Sequence, residues 1–223
     1  FELRSFWFLE VPNILEKMIS PMLNIKYLII NFLVLLSYFL FGQEQSRMKI
    51  MLNSYIEKLK ANNIMDIGYF NESCAGYYRN RRDCDDYVIY EETFLFWRTG
   101  NKAFVKKFDS CFEYDDLLVT DTCFFEYYNA NRIDIKNDEI KQMETMIIEG
   151  KDTLYYISFV DHTCRRTIFL SDQMETIVKN SNDYDLERNN IHYFYNHNLK
   201  LVIWDKQIKR LTSKLNSEFK RIN

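Results

Sequence analysis

The chain has little glycine and proline, and it lacks the short motifs that mark the best-known enzyme classes. Its 223 residues include 5 glycines and 2 prolines, both prolines within the first 21 residues, and no linker or internal repeat stands out. No Walker loop, G-x-G-x-x-G or G-x-S-x-G motif occurs. Neither H-E-x-x-H nor C-x-x-C occurs, so no common zinc motif is present. The sequence therefore predicts no metal, no cofactor and no marked catalytic class.

Charge and composition narrow the class of protein further. The formal net charge is −3, so the chain lacks the basic excess of a general nucleic-acid binder. It holds 18 Phe and 16 Tyr, and aromatic side chains favour strands and bury much surface. Because an A/T-rich genome enriches Phe, Tyr, Ile, Lys and Asn together, we do not interpret these aromatics as a ligand platform. A β-rich core is the expectation that remains.

One apolar stretch, residues 27–42, carries the strongest signal in the sequence. It follows Lys26 and ends at the polar residues 43–45, and this order of charge, apolar core and polar exit is typical of an export signal. Its length of 16 residues falls between the about 7–15 of a signal core and the about 20 of a spanning helix. The alternative is therefore an N-terminal membrane anchor that is retained. We expect an exported protein, periplasmic or secreted, with membrane contact only through residues 27–42 if the segment is not cleaved.

The same signal divides the chain into three parts. We expect residues 22–43 to be the signal peptide, because an export signal normally begins close to its positive charge. Residues 1–21 are then an upstream extension outside the native fold. Residues 44–223 are long enough to form one globular domain with its own core.

Five cysteines occur, which allow at most two disulfide bonds in an oxidising compartment and leave one thiol over. Cys74 and Cys84 enclose a short stretch that is dense in charge, and we predict a bridge between them. The alternative is that the cysteines are small buried side chains without bonds.

Apolar spacing and turn residues in the first half of the domain predict helices and short strands. Helices are expected at 47–61, capped by Ser46, and at 123–130. The region around Gly68 and Gly76 is predicted to be rich in loops. Strands with aromatic and β-branched residues, and a hairpin turn at residues 99–101, are expected at 87–90, 93–98, 103–108 and 112–120.

The second half is predicted to end in a long helix. Before it we expect a helix from Asn137 to Gly150, a hairpin between residues 154–160 and 167–170, and a polar loop at 179–190. The last helix would begin at Asn198, and its apolar residues recur at spacings of three and four: Leu201, Trp204, Ile208, Leu211, Leu215, Phe219 and Ile222.

This apolar stripe is expected to pack on the core of its own domain. The alternative is docking on an anionic membrane or an acidic partner, since residues 198–223 carry 7 bases and 2 acids. The predicted fold class is α+β: an antiparallel sheet built from hairpins, packed against an N-terminal helix and a long C-terminal amphipathic helix.

The candidate catalytic residues are Asp161, His162 and Cys164. A cysteine nucleophile needs a base in contact with it, and residues two apart on a strand share a face. Chance gives the same grouping on an exposed turn. We therefore expect a non-catalytic binding or interaction protein of the cell envelope or exterior, whose partner is an unknown protein or surface ligand. The alternatives are a membrane-tethered envelope domain and a hydrolase-like enzyme with an unmarked site.

Cleavage of the apolar segment can be tested directly. If residues 22–43 are a signal peptide, mass spectrometry of the protein from its own cells will find an N-terminus near Gln43. Intact residues 27–42 in the membrane fraction would show a retained anchor instead.

Overall fold

An antiparallel sheet of six strands forms the centre of the fold. The computed structural model of the protein describes residues 46–79, 88–119, 123–149, 152–157 and 163–222, which belong to one compact unit. The strands are β1 (Ile67–Arg79), β2 (Val88–Thr99), β3 (Lys102–Asp109), β4 (Glu113–Val119), β5 (Glu144–Glu149), β6 (Asp152–Ile157), β7 (Cys164–Ser171) and β8 (Thr176–Asn182). The order in the main sheet is β4-β3-β2-β1-β7-β8, and β5 pairs with β6 in a separate hairpin.

Helices cover both faces of the main sheet, so the predicted α+β class is correct. They are α1 (Arg47–Ala61), α2 (Cys123–Ala130), α3 (Arg132–Asn137), α4 (Tyr193–Asn198) and α5 (Lys200–Leu215), with a short 3₁₀ helix at Tyr184–Leu186. Strand β2 shows why both faces need cover. Phe94 and Phe96 are buried on one side and Leu95 and Trp97 on the other, which makes residues 94–97 of the strand apolar without interruption.

Helix α1 lies where the sequence predicts it and covers one face. Ser46 caps it by accepting a hydrogen bond from the Lys49 backbone N–H at 3.4 Å. The chain leaves the helix through Asn63, whose φ of 59° is in the left-handed region that asparagine tolerates. The buried side of α1 contributes Met48, Leu52 and Leu59 to a cluster. The sheet contributes Ile67, Leu95, Trp97 and Phe108 to the same cluster.

Helices α2 and α5 cover the opposite face with the larger core. Trp204 is fully buried, and its indole N–H donates to the Phe124 carbonyl at 3.0 Å. Gly68 on β1 makes room for Phe124, because a Cβ at this position would lie 2.3 Å from the phenyl ring. The absence of a side chain at residue 68 therefore lets α2 approach the sheet.

The C-terminal stripe packs on this core. Leu201, Trp204, Ile208, Leu211, Leu215 and Phe219 are all buried there. The helix is shorter than predicted, since α5 ends at Leu215, and Ile222 is 43% exposed. Asn198 is not its cap: the Asp138 carboxylate accepts the hydrogen bond of the Leu201 N–H at 2.8 Å.

Three predictions for the secondary structure are wrong. Residues 67–79, expected to be loop-rich, form β1 at the centre of the sheet. The helix predicted from Asn137 to Gly150 is absent: α3 ends at Asn137, residues 138–143 are irregular, and β5 follows. Strands β6 and β7 do not form the predicted hairpin, because β6 pairs with β5 while β7 pairs with β1 and β8.

The loop predicted at residues 179–190 also differs, because β8 continues to Asn182. The turn at residues 99–101 is correct, and Gly100 adopts a φ of 58° there. No helix within the described ranges is long and apolar enough to cross a membrane. The apolar stretch 27–42 lies outside those ranges.

The burial of α5 gives a stability prediction. Leu211→Ala should lower the free energy of unfolding by about 2–5 kcal/mol, because it leaves a cavity in the core. Lys214→Ala, on the exposed side of the same helix, should change it by less than about 0.5 kcal/mol. Urea unfolding of both variants measures the difference, and equal stabilities would contradict the packing of α5 on the sheet.

Candidate functional site

The β5–β6 hairpin exposes large apolar side chains on both of its faces. Because partners across the ladder share a face, Met146, Ile148 and Tyr155 lie on one side. Ile147, Leu154 and Tyr156 lie on the other. Ile148 is 67% exposed and Tyr155 58% exposed, while the remaining four are between 38% and 46% exposed. This exposed apolar group is the candidate interaction site of the domain.

Two buried asparagines hold the base of the hairpin to the domain. The Asn196 side chain, with no exposed surface, donates to the carbonyls of Lys141 and Asp185 at 2.8 and 2.9 Å and accepts from the Lys141 N–H at 2.9 Å. The Asn190 side chain donates to the Asp185 carbonyl at 2.8 Å and accepts from the Glu144 N–H at 3.4 Å. The chain entering β5 is thereby fixed, although the strand beyond it is exposed.

A short helix next to this base carries further exposed apolar side chains. The Ile191 N–H donates to the Glu144 carbonyl at 3.0 Å, and the His192 ring nitrogen lies 3.0 Å from the Glu144 carboxylate. Just beyond, Phe194 is 79% exposed and Tyr195 45% exposed. We call Ile191, Phe194, Tyr195 and the six apolar residues of the hairpin the apolar patch.

A cavity of about 860 Å³ lies elsewhere, between α1 and β4. The Tyr55 hydroxyl donates to Asp116 at 2.6 Å, and the buried Lys106 ammonium donates to the same carboxylate at 3.1 Å and to the Tyr114 carbonyl. Burial raises the pKa of Tyr55, and the hydrogen bond to Asp116 raises it further. The phenol therefore stays protonated. Because Tyr55 and Lys106 both donate to Asp116, this group presents no activated nucleophile.

A buried ionic network joins β7 to α5. The Arg166 Nε lies 2.9 and 3.0 Å from the two Asp205 carboxylate oxygens, and its Nη1 donates to Asp183. Burial by itself would lower the pKa of Arg166, but the charges and hydrogen bonds of Asp205 and Asp183 outweigh it and raise the pKa. Glu72 accepts from Lys209 at 2.8 Å beside this pair. The network is structural, since each of its charges has a partner.

The disulfide predicted from the sequence is wrong. Cys74 is bonded to Cys164, its direct neighbour across the β1–β7 ladder, with the Cα atoms 4.0 Å apart. A sulfur forms one such bond, so Cys74 is not paired with Cys84, which lies outside the described residues. Cys111 is disulfide-bonded too. Spacing along the chain favoured a short loop, whereas the sheet brings together cysteines that are 90 positions apart.

The bond also removes Cys164 as a nucleophile in this state, because a disulfide sulfur carries no thiolate. Asp161 and His162 lie outside the described residues. Glu72, Cys74 and Cys164 offer ligand atoms within 4.8 Å of one another, but two of these atoms are the bonded sulfurs. This group therefore lacks the thiolates that a metal would bind.

The interpretation of the sequence missed the apolar patch. It read the spacing of Ile140, Met143 and Met146 as helical, yet of these only Met143 is fully buried. A signal for the hairpin was present: the β-branched pair Ile147-Ile148 and the run at residues 154–156 flank a two-residue link that contains glycine. The roles of Asn190 and Asn196 depend on contacts distant in sequence.

No protein-family model matches the chain, and comparisons with curated proteins and with solved structures find no match either. Function is therefore inferred from the geometry of this chain alone.

The disulfide gives the next prediction. Peptide mapping without reduction should find a fragment that joins Cys74 to Cys164. Replacing both residues with alanine should lower the free energy of unfolding by about 4–5 kcal/mol in the chain-entropy model, because the bond closes a long loop. A fragment that joins Cys74 to Cys84 would contradict the structure and restore the pairing expected from the sequence.

Proposed function

We propose that the protein is an exported, non-catalytic binding protein that contacts its partner through the apolar patch. The observation that carries this proposal is the exposure of both faces of the β5–β6 hairpin, led by Ile148 and Tyr155. A two-stranded hairpin is at best marginally stable alone in water. Apolar residues on both faces gain nothing from solvent, so a partner that covers them supplies the missing burial.

The base of the hairpin supports a binding role. Asn190 and Asn196 fix residues 141–144 through six side-chain hydrogen bonds to their backbone and that of Asp185, at 2.8 to 3.4 Å. A rigid base places the exposed strands in one direction, which reduces the ordering cost when a partner binds. The domain therefore presents the patch instead of leaving it on a loose loop.

Two features support export. Residues 27–42 have the pattern of an export signal. The Cys74–Cys164 bond belongs to the class of bonds that persist in oxidising compartments. The membrane-tethered alternative keeps the same patch and differs only in whether residues 27–42 are cleaved.

The hydrolase-like alternative has less support. Its cysteine candidate, Cys164, is bonded to Cys74. In the cavity beside α1, Tyr55 and Lys106 both donate to Asp116, so neither is poised as a base. A binding protein accounts for the exposed patch directly, whereas an enzyme would need a further reason for it.

The binding role can be tested with paired variants. Ile148→Ser with Tyr155→Ser removes the two most exposed side chains of the hairpin. Ile133→Ser with Met65→Ser is the matched control, since these residues are 74% and 53% exposed outside the patch. Both pairs should change the free energy of unfolding by less than about 0.5 kcal/mol for each substitution, because all four positions are exposed.

Each protein is then immobilised and exposed to the extracellular and envelope fractions of its own cells. Quantitative mass spectrometry should find that the parent and the control retain the same proteins and that the hairpin variant loses them. Equal retention by all three would overturn the proposal that the patch is the binding surface.

A further inference from the structure

We infer that the outer edge of β6 binds an extended peptide by adding it as a third strand to the hairpin, and that the peptide carries basic residues beside apolar ones. The inference rests on the proposed binding role and names the partner's chemistry and the way it docks.

Glu144 fixes the direction of hydrogen bonding along the hairpin. Its N–H donates to the Asn190 side chain at 3.4 Å, and its carbonyl accepts from the Ile191 N–H at 3.0 Å. Both backbone groups of Glu144 therefore point away from β6. In an antiparallel pair the N–H and C=O of one residue point to the same side, and that side alternates along the strand.

The alternation identifies the groups on the outer edge of β6. Glu144, Met146 and Ile148 lie opposite Ile157, Tyr155 and Thr153 in the ladder. Because the N–H and C=O of Glu144 point outward, those of Met146 and Ile148 do too, and the opposing residues point away from β5. Within the described part of the chain, Thr153 and Tyr155 thus present backbone donors and acceptors that pair with no strand at the edge of β6.

This edge is open in the described part of the chain. Among the strands that the structure describes, β5 is the only neighbour of β6, and residues 152–156 are all exposed. The edge of β5 differs, because Ile191 and Asn190 already occupy its start. An exposed edge strand with apolar side chains is a template for pairing with another extended chain.

Charge indicates what kind of chain pairs there. Residues 138–157 contain five acids and two bases. Asp152 is exposed beside the link between the two strands, and Glu144 lies at the base. A peptide with lysine or arginine beside its apolar residues meets these carboxylates, whereas a second copy brings the same negative charge. The acidic end also disfavours insertion into an anionic membrane.

The test uses synthetic ten-residue peptides that alternate valine with lysine and carry a fluorophore. Fluorescence anisotropy against the intact protein should show binding, while a glutamate version should bind about tenfold or more weakly. A lysine peptide with N-methyl groups on alternate residues keeps its side chains but loses the hydrogen bonds along one edge. It should also bind about tenfold or more weakly.

One position of β6 offers a matched pair of variants. Thr153→Pro removes an outward N–H, which an edge strand tolerates, and leaves the ladder with β5 intact. Thr153→Val keeps that N–H. The proline variant should bind the lysine peptide about tenfold or more weakly, and the valine variant within about twofold of the parent.

Three results would overturn strand addition. The first is no binding of the lysine peptide, or binding that neither N-methylation nor Thr153→Pro weakens. The second is a dimer seen by light scattering that Thr153→Pro abolishes, which would assign the edge to a second copy. The third is that the protein binds vesicles with 30% anionic lipid but does not bind the peptide, and that Thr153→Pro binds the vesicles about as strongly as the parent.

The outcome is separable from that of the proposed function. If the Ile148→Ser and Tyr155→Ser pair loses its partners while Thr153→Pro keeps them, the side-chain faces bind and the edge does not. Strand addition is then wrong, and the binding role stands.

Discussion

The ion pair between Arg166 and Asp205 is the interaction on which the arrangement of this domain depends. Both side chains are almost completely buried, Arg166 on β7 and Asp205 on α5. A buried ion that loses its partner costs about 3–5 kcal/mol, so α5 can rotate or slide along the sheet only by exposing or orphaning a charge. The Cys74–Cys164 bond lies two residues away on the same strands and fixes the register of β1 against β7. The ion pair thus joins α5 to β7, and the disulfide joins β7 to β1.

The position of α5 determines where the hairpin can stand. Lys206 on α5 contacts the His197 ring at 2.9 Å, and the other ring nitrogen lies 2.9 Å from the Leu186 carbonyl. Helix α4 and the 3₁₀ helix are held by these contacts, and they carry Asn196 and Asp185, which bind the chain before β5. The contacts of His197 join residues 9 and 11 positions apart, and those to the chain before β5 join residues 42 and 55 positions apart. The contacts of α4 and the 3₁₀ helix therefore fix the direction in which the chain enters the β5–β6 hairpin.

The sequence was sufficient to predict the secondary structure where local pattern and tertiary packing agree. Examples are α1 with its Ser46 cap and the buried stripe of α5. It was insufficient for β1, whose polar residues are satisfied only in the folded state: Asn71 donates to Thr93 at 2.8 Å, and Glu72 binds Lys209 at 2.8 Å. No pattern within residues 67–79 reveals those partners. The disulfide prediction was wrong for the same reason, because Cys74 and its partner Cys164 are 90 positions apart in the sequence. The hairpin prediction was wrong because the spacing of Ile140, Met143 and Met146 also fits a helix, and the strand signal at residues 147–148 and 154–156 was given less weight.

An exposed hairpin that is apolar on both faces is a hazard for a folded protein, because open edges invite aggregation. The chain limits that hazard in two ways. The hydrogen bonds of Asn190 and Ile191 at Glu144 close the start of the β5 edge. Acidic residues at 144 and 152 lie beside the apolar run, where charge discourages pairing between like copies. Neither device covers the faces that carry Ile148 and Tyr155. An apolar surface flanked by acidic residues supports the proposal that the partner is a different chain of opposite charge.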